Sequence, residues 1–284
     1  LLGQGNPAFL NAAGFSDSPH FMYSGHDRNG KWFQLFQIGF GGVPGRPFGD
    51  GPDGHSMWPS FTHVPTEFVE SYFPLRSETY ETIADSGGAG KHRGGNALRV
   101  TYRFLEDGEI SIHDDRWLTY PWGVNGGTPG KRSRKELRRK NGSREIIPSK
   151  CDRIPVQEGD LLYFDTWGGG GWGDPYQRDP AAVFFDVEAG LVTAAGARAN
   201  YGVVLRKDGS LDEKATAALR SRLAKKRGKT QIFNFGGTIP ELKKRCKAET
   251  GLPPPLQPKA PRFLVADKKV AQKPAAKGKR TRAA

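Results

Sequence analysis

The sequence predicts a β-dominated α+β fold, with curved strands, glycine-rich turns, short helices, a C-terminal helical segment and a disordered basic tail. Three observations carry this expectation. Stretches such as KWFQLFQIGFGG (31–42) and GDLLYFDT (159–166) alternate side-chain character with the period of two that a strand imposes. Glycine supplies 38 of 284 residues and gathers in runs between these stretches. The helix signals are short, and most fall late in the chain.

Each element can be justified in turn. ALRVTYRFLEDGEISIHDD (97–115) reads as two strands around Asp107-Gly108, a short-range hairpin signal. PTEFVESYF (65–73) makes two helical turns with Pro65 in the first position, where its missing N–H costs nothing. DPAAVFFDVEAG (179–190) offers Asp179 as N-cap, Pro180 after it and Gly190 as a stop. TAAGARANYG (193–202) suggests another short helix.

SLDEKATAALRSRLAKKRG (210–228) opens on the capping-box spacing Ser210-x-x-Glu213 and carries Lys225, Lys226 and Arg227 in its last turn, where cations suit the helix dipole. Leu211, Ala215, Ala218, Leu219 and Ala224 are expected on its apolar face, with Arg220 turned away. TIPELKKRCKAETG (238–251) repeats the pattern with Thr238-x-x-Glu241. From Pro253 the Pro-, Ala- and Lys-rich remainder has too little apolar surface to offset its ordering entropy, and is expected to be disordered. The chain is therefore read as a glycine-dense body (1–205), a helical basic extension (206–252) and a disordered tail (253–284).

Charge distribution separates these parts. The net charge is +13, yet residues 1–205 hold 21 Lys/Arg against 24 Asp/Glu, and the rest holds 22 against 6. A mildly acidic body with a basic appendage argues against a nucleic-acid-binding domain. Apolar runs fall short of the roughly 20 residues a membrane helix needs, and the opening LLGQGNPAF has no signal-peptide pattern. Two distant cysteines, Cys151 and Cys246, argue for a reducing, cytoplasmic setting and against a disulfide or zinc scaffold. There is no GxSxG nucleophile motif, and no histidine lies near Cys151 in sequence.

Three glycine clusters invite a chemical reading: DSGGAGKHRGG (85–95), PWGVNGGTPGKR (121–132) and TWGGGGWGDP (166–175). Trp167 and Trp172 bracket four glycines, which favours a packed loop over a linker. Glycine loops can cradle phosphate through their N–H groups, but the Walker spacing is absent. Tight turns and bulges in a curved β architecture are the preferred expectation. The charged residues on these loops and on DGPDGHSMWP (50–59) are candidate site residues, because loop ends display functional groups. Asp53, His55, Asp85, Arg93 and Arg116 form this set. Arg93 or Arg116 could hold an oxyanion with its planar fork. The competing expectation is a bracing ion pair such as Asp85–Arg93 or Asp115–Arg116. The Asp53-x-His55 spacing, with His63 beyond it, is too ordinary to assign a metal site to the chain itself.

The ordered blocks DGPDGHSMWP, PTEFVESYFP, DSGGAGKHRGG, DDRWLTYPWGVNGGTPG, EGDLLYFDTWGGGGWGDP with RDPAAVFFDVEAGLV, and ARANYGVVL resemble the C-terminal part of the hydantoinase B/oxoprolinase family over about residues 35–205. Distant members of that family are acetone and acetophenone carboxylase subunits. The resemblance implies an ATP-dependent complex that hydrolyses a small cyclic amide, such as hydantoin, 5-oxoproline or a lactam. In this family ATP is held by a hydantoinase A-type subunit, which activates the substrate. A divalent metal belongs to the N-terminal half of the B-type polypeptide, a half that this sequence lacks or a partner chain supplies. The isolated chain is then expected to be inactive. Two alternatives stand beside this reading: a subunit of an ATP-dependent carboxylase of the acetone or acetophenone type, and a non-catalytic structural subunit paired with a separate metal-binding half.

Overall fold

The computed structural model describes residues 2–14, 19–55 and 62–256. The expected disordered tail therefore lies almost wholly outside the described residues, as do residues 56–59 of the DGPDGHSMWP block. Residues 1–254 form one compact unit.

Among the described residues, nine strands make two antiparallel sheets. β1 (His20–His26), β2 (Trp32–Ile38), β5 (Gly108–His113) and β9 (Lys150–Val156) form the first, in the order β2-β1-β5-β9. β3 (Leu75–Thr82), β4 (Leu98–Phe104), β7 (Arg134–Arg138), β8 (Arg144–Ile146) and β10 (Leu161–Asp165) form the second, in the order β3-β4-β10-β7-β8. A two-residue pair joins β6 (Gly123–Val124) to β11 (Phe233–Asn234). The alternation seen in the sequence has a direct consequence. Phe33 and Leu35 of β2, and Leu162 and Phe164 of β10, face a shared core with Phe21, Tyr23, Tyr102, Phe104, Ile110 and Leu137. Register shifts at Ser77/Thr79 and at Ile110/Ile112 bend the strands as bulges do.

One expectation is corrected here. Asp107-Gly108 does not close a hairpin, because β4 pairs with β3 and β10 while β5 pairs with β1 and β9. The turn carries the chain from one sheet to the other, so Phe104 and Ile110 meet across the core. A local turn signal cannot distinguish edge-to-edge from face-to-face strands.

The helices follow their caps. Among the longer ones, α1 (Thr66–Tyr72) starts one residue after Pro65, which is the N-cap rather than the first helical residue. α2 (Pro180–Glu188) is capped by Asp179, whose carboxylate accepts from the Ala181 amide, and Gly190 follows with φ 71°. α3 (Ala194–Tyr201) runs from Thr193 to a left-handed Gly202. α4 (Glu213–Arg227) is capped by Asp212 instead of Ser210, whose hydroxyl turns to Asp208. Its buried side is Thr216 and Leu219, Ala218 and Ala224 are exposed, and Arg220 packs inward to donate to the Tyr201 carbonyl. α5 (Ile239–Thr250) carries the expected Thr238/Glu241 capping box. Among the described residues no helix is long and apolar enough to cross a membrane.

The expected turns are present in part: Asn125 and Gly126 turn at φ 52° and 99°, closed by the Gly127 amide on the Val124 carbonyl, but the four-glycine run does not turn. None of Gly168–Gly171 has positive φ; these residues form an extended rod whose amides point to successive neighbours. Gly168 donates to the Lys131 carbonyl, Gly169 to Gly95, Gly170 to Ala13 and Gly171 to Thr128. The first and fourth donors thus reach the same segment at acceptors three residues apart, the three-residue turn of a polyproline-II helix. Gly88, Gly45 and Val124 donate back to the carbonyls of Gly169, Gly170 and Gly171. Glycine is required here for close approach. A Cβ on Gly94 would lie 1.9 Å from the Gly169 carbonyl oxygen, and one on Gly169 would lie 2.2 Å from that of Val43. The tryptophans pin the rod's ends: Trp167 is fully buried, and the Trp172 indole N–H donates to the Leu10 carbonyl at 2.8 Å.

Candidate functional site

The glycine bundle holds together the loops that bear the candidate residues. Two of the five meet. Arg93 grips Asp53 with both terminal guanidinium nitrogens, at 2.7 and 2.9 Å, and its Nε donates to Asp186 of α2 at 3.2 Å. Asp53 also accepts from the Asn96 amide at 2.6 Å. A second buried arginine, Arg178, completes the cluster with two bonds to Asp50, at 2.6 and 2.7 Å, and one to Asp186 at 2.8 Å. The backbone amide of Arg93 donates to Asp50. Two guanidiniums and three carboxylates thus clasp the 50–55 loop, the 85–95 loop and α2.

The electrostatics follow from this geometry. Burial pulls the Arg93 guanidinium down, but hydrogen bonds and charge from Asp53, with Asp186 and Asp50 nearby, more than reverse it. Burial likewise pushes the Asp50 carboxyl up, and the Arg178 hydrogen bonds and charge bring it below the usual carboxylate value. Both arginine forks are spent on carboxylates, so the cluster acts as a clasp and leaves no open oxyanion fork. Removing one member of such a pair leaves an uncompensated buried charge, at about 3–5 kcal/mol.

The other three candidates lie elsewhere in the bonding. Asp85 turns away from Arg93 and binds Thr193, the N-cap of α3, accepting from its amide at 3.0 Å and its hydroxyl at 2.5 Å. Arg116 is buried, donates to the Gly14 carbonyl at 3.0 Å and lies 5.1 Å from the Trp122 ring centre. Asp115 forms its ion pair with Lys150 at 3.3 Å. His55 is exposed and bridges through its backbone to Gly41. Asp85 and Arg116 share one unusual property: both hold left-handed backbone, at φ 57° and 56°, which costs a non-glycine residue energy and recurs where geometry matters.

Sequence reasoning missed Arg178, Asp186 and a fully buried pair in the core. Lys135 of β7 donates to Asp114 at 2.6 Å, with both side chains at zero exposure, and its ammonium lies 4.2 Å from the Phe164 ring centre. Burial pushes the Asp114 carboxyl up and the Lys135 ammonium down, and each partly offsets the other. The signals were present. Period two in RKELR puts Lys135 on the same face as buried Leu137, and Asp186 follows buried Val183 by three residues on α2. Cys151 is half-buried, and burial pushes its thiol up to about 11, which removes it as a nucleophile near neutral pH.

The hydantoinase B/oxoprolinase profile matches residues 1–175. The chain belongs to the hydantoinase B/oxoprolinase family. It is 30% identical over 213 residues to the putative B-type component of a D-/L-hydantoinase from a Pseudomonas species, covering 74% of this chain and 36% of that one. The ATP-dependent caprolactamase of Pseudomonas jessenii superposes with a TM-score of 0.62 at 27% identity, over 78% of this chain and 40% of that one. Nucleotide-free acetone carboxylase shares the fold, with a TM-score of 0.66 at 22% identity, over 87% of this chain and 37% of the other. That coverage exceeds residues 1–205, so part of the basic extension has a counterpart in fold. The chain spans little more than a third of these relatives.

Two groups that the family implies can be tested against these residues. A phosphate cradle needs free N–H groups, and the glycine bundle has spent most of its own: Gly88, Gly94, Gly95, Gly130 and Gly168–Gly171 all donate to backbone carbonyls, and Gly87 to Asn96. The glycine loops therefore do not fit ATP phosphates. Among the described residues no three His, Cys, Asp or Glu side chains are placed to share a metal ion, and the clasp carboxylates are taken by guanidiniums.

Proposed function

We propose that the chain is the C-terminal part of a hydantoinase B-type subunit. It works in an ATP-dependent complex that hydrolyses a cyclic amide, a hydantoin, 5-oxoproline or a lactam. The observation that carries the proposal is the family match over residues 1–175, joined by a likeness to the caprolactamase that reaches 78% of the chain. In this reading an A-type subunit holds ATP, and the remaining B-type polypeptide holds a divalent metal. This chain supplies the rigid glycine-bundle wall and loops fixed by the Arg93/Arg178 clasp. Asp53 and Arg93 serve as positioning residues. Asp85 and Arg116, fixed in left-handed backbone, and exposed His55 are the candidates to approach substrate. Residues 206–252 brace the body.

The test is reconstitution. The chain is combined with an A-type subunit and the remaining B-type polypeptide, and ring opening of hydantoin, 5-oxoproline and caprolactam is followed with and without ATP. Turnover should require ATP and every polypeptide, and the purified chain alone should show none. Ring opening by the chain alone, or by the complex without ATP, contradicts the proposal. ATP- and bicarbonate-dependent carboxylation of acetone or acetophenone, without ring opening, replaces it with the carboxylase reading.

A further inference from the structure

Four aromatic and cationic residues line one flank of the body where the chain leaves β5 and returns as β7. Trp117 and Tyr120 lie under guanidinium groups: Arg134 is 4.7 Å from the Trp117 ring centre and Arg132 is 4.4 Å from that of Tyr120. The Arg132 side chain is only 3% exposed. Backbone carbonyls hold both forks in place, Leu118 for Arg132 and Trp117 and Ser133 for Arg134. These are neutral acceptors, so neither positive charge is cancelled by the body that carries it.

The charge is met from outside that body. One carboxylate oxygen, Oε2 of Glu249 on α5, accepts from both Arg132 and Arg134. Glu249 lies beyond the 1–175 family match, whereas both arginines lie inside it. The helix that delivers it buries Leu242, Cys246 and Thr250 and ties Arg245 to the Tyr120 hydroxyl at 3.1 Å, and Glu249 continues the Leu242/Cys246 stripe at i, i+4, i+7 spacing. Five of its twelve residues are Lys, Arg or Glu outside this stripe, and Glu249 itself is 40% exposed at the rim. The arrangement is a two-arginine fork, stacked on aromatic rings and closed by a single borrowed carboxylate. Forks of this kind recognise planar or tetrahedral oxyanions through charge-assisted hydrogen bonds.

We propose that Arg132 and Arg134, backed by Tyr120 and Trp117, form a binding site for the carboxylate or phosphate group of a small anion, and that Glu249 on α5 is its displaceable internal occupant. This goes beyond the function proposed above and does not depend on it. A ligand that takes the site must displace Glu249, so occupancy of the fork and docking of the last turns of α5 are mutually exclusive. Binding in the intact chain is thereby weakened by the cost of that displacement.

The full chain tests this in two arms. In the first, binding of acetate and of inorganic phosphate is measured by calorimetry at constant ionic strength, with chloride as the blank, for the wild type, for Glu249→Gln and for Glu249→Gln combined with Arg134→Gln. Glu249→Gln should bind at least one anion at least tenfold more tightly than the wild type, and Arg134→Gln should cancel the gain. A phosphate response without an acetate response assigns phosphate chemistry, and the reverse assigns carboxylate. In the second arm, amide hydrogen exchange over 239–250 is followed in the wild type as the same anions are titrated. Exchange should accelerate with the anion that binds and stay constant with chloride. If Glu249→Gln gains no affinity for either anion, or keeps its gain without Arg134, the proposal fails. If the variant does not fold, the wild-type exchange arm decides alone, and exchange unmoved by both anions overturns the proposal.

Discussion

In the β-sandwich, cohesion comes from side chains: every second residue of β2 and β10 is buried, and Phe21, Tyr23, Phe104 and Leu162 fill the space between the sheets. In the glycine bundle beside it, side chains are what must be missing. Extended segments approach until their carbonyls lie where a Cβ would be, and their amides bond outward to neighbouring segments. The two regions therefore fail in opposite directions. A sandwich loses stability when atoms are removed, because a cavity is left, whereas the bundle loses it when atoms are added, because backbone cannot move aside as a side chain can.

The largest effect should therefore come from the smallest addition. Gly94→Ala and Gly169→Ala each place a methyl group within about 2 Å of a carbonyl oxygen, and should destabilise more than Leu162→Ala in the sandwich, expected at about 2–5 kcal/mol. Urea midpoints of the three variants check this ranking. A Gly169→Ala protein more stable than Leu162→Ala would overturn it.

Next in size is the clasp that ties the bundle's loops to α2. Arg93→Gln leaves Asp53 and Asp186 short of a buried partner and should cost about 3–5 kcal/mol. In the reconstituted complex, melting temperature and turnover should fall together. Turnover lost at unchanged melting temperature would move Arg93 from positioning to substrate contact. His55→Ala offers the contrast: the side chain is exposed, so lost turnover with little change in melting temperature is the expected result.

The clasp also sets a pH response. Asp50 has a folded-state pKa below the ordinary 3.8, chiefly because Arg178 outweighs the effect of burial. Its contribution is fully present above that ordinary value and is lost as pH falls through the depressed one. Stability should drop on acidification below about 3.8, and Arg178→Gln should flatten that part of the profile. Urea midpoints across the acid range measure it, and identical profiles for the two proteins would contradict the assignment.

The smallest effect lies at the bundle's periphery. Asp179→Ala removes the carboxylate that caps α2 and should cost about 1 kcal/mol, read from the same midpoints. A loss as large as that of Arg93→Gln would mean that α2 depends on its cap as much as on the clasp.

The legibility of the sequence divides along the same line as the two regions. Strands whose side chains alternate, and helices whose caps are local, could be read from neighbouring residues: Asp179 with Pro180, Thr238 with Glu241, and Leu162 with Phe164. The bundle could not. Gly168–Gly171 signalled unusual backbone, but their partners are carbonyls of Ala13, Gly95, Thr128 and Lys131, and nothing in a glycine names a distant carbonyl. The pairing of charges failed for a related reason. Asp85 lies closer to Arg93 in sequence than Asp53 does, yet Asp85 accepts from Thr193, the N-cap of α3, and Asp53 takes the guanidinium. Which loops meet is decided by the bundle, so the candidate residues were legible as loop-borne charges and their partners were not.

The glycine segments form a hydrogen-bonded scaffold, neither linker nor phosphate cradle, that should be as firm as the sandwich. Native-state amide hydrogen exchange reads that firmness amide by amide. The amides of Gly168–Gly171 should be protected to the same free energy of opening as those of Val100 and Tyr102 in β4, exchanging only through global unfolding. Exchange of the four glycines at the rate of an exposed loop, while β4 stays protected, would contradict it.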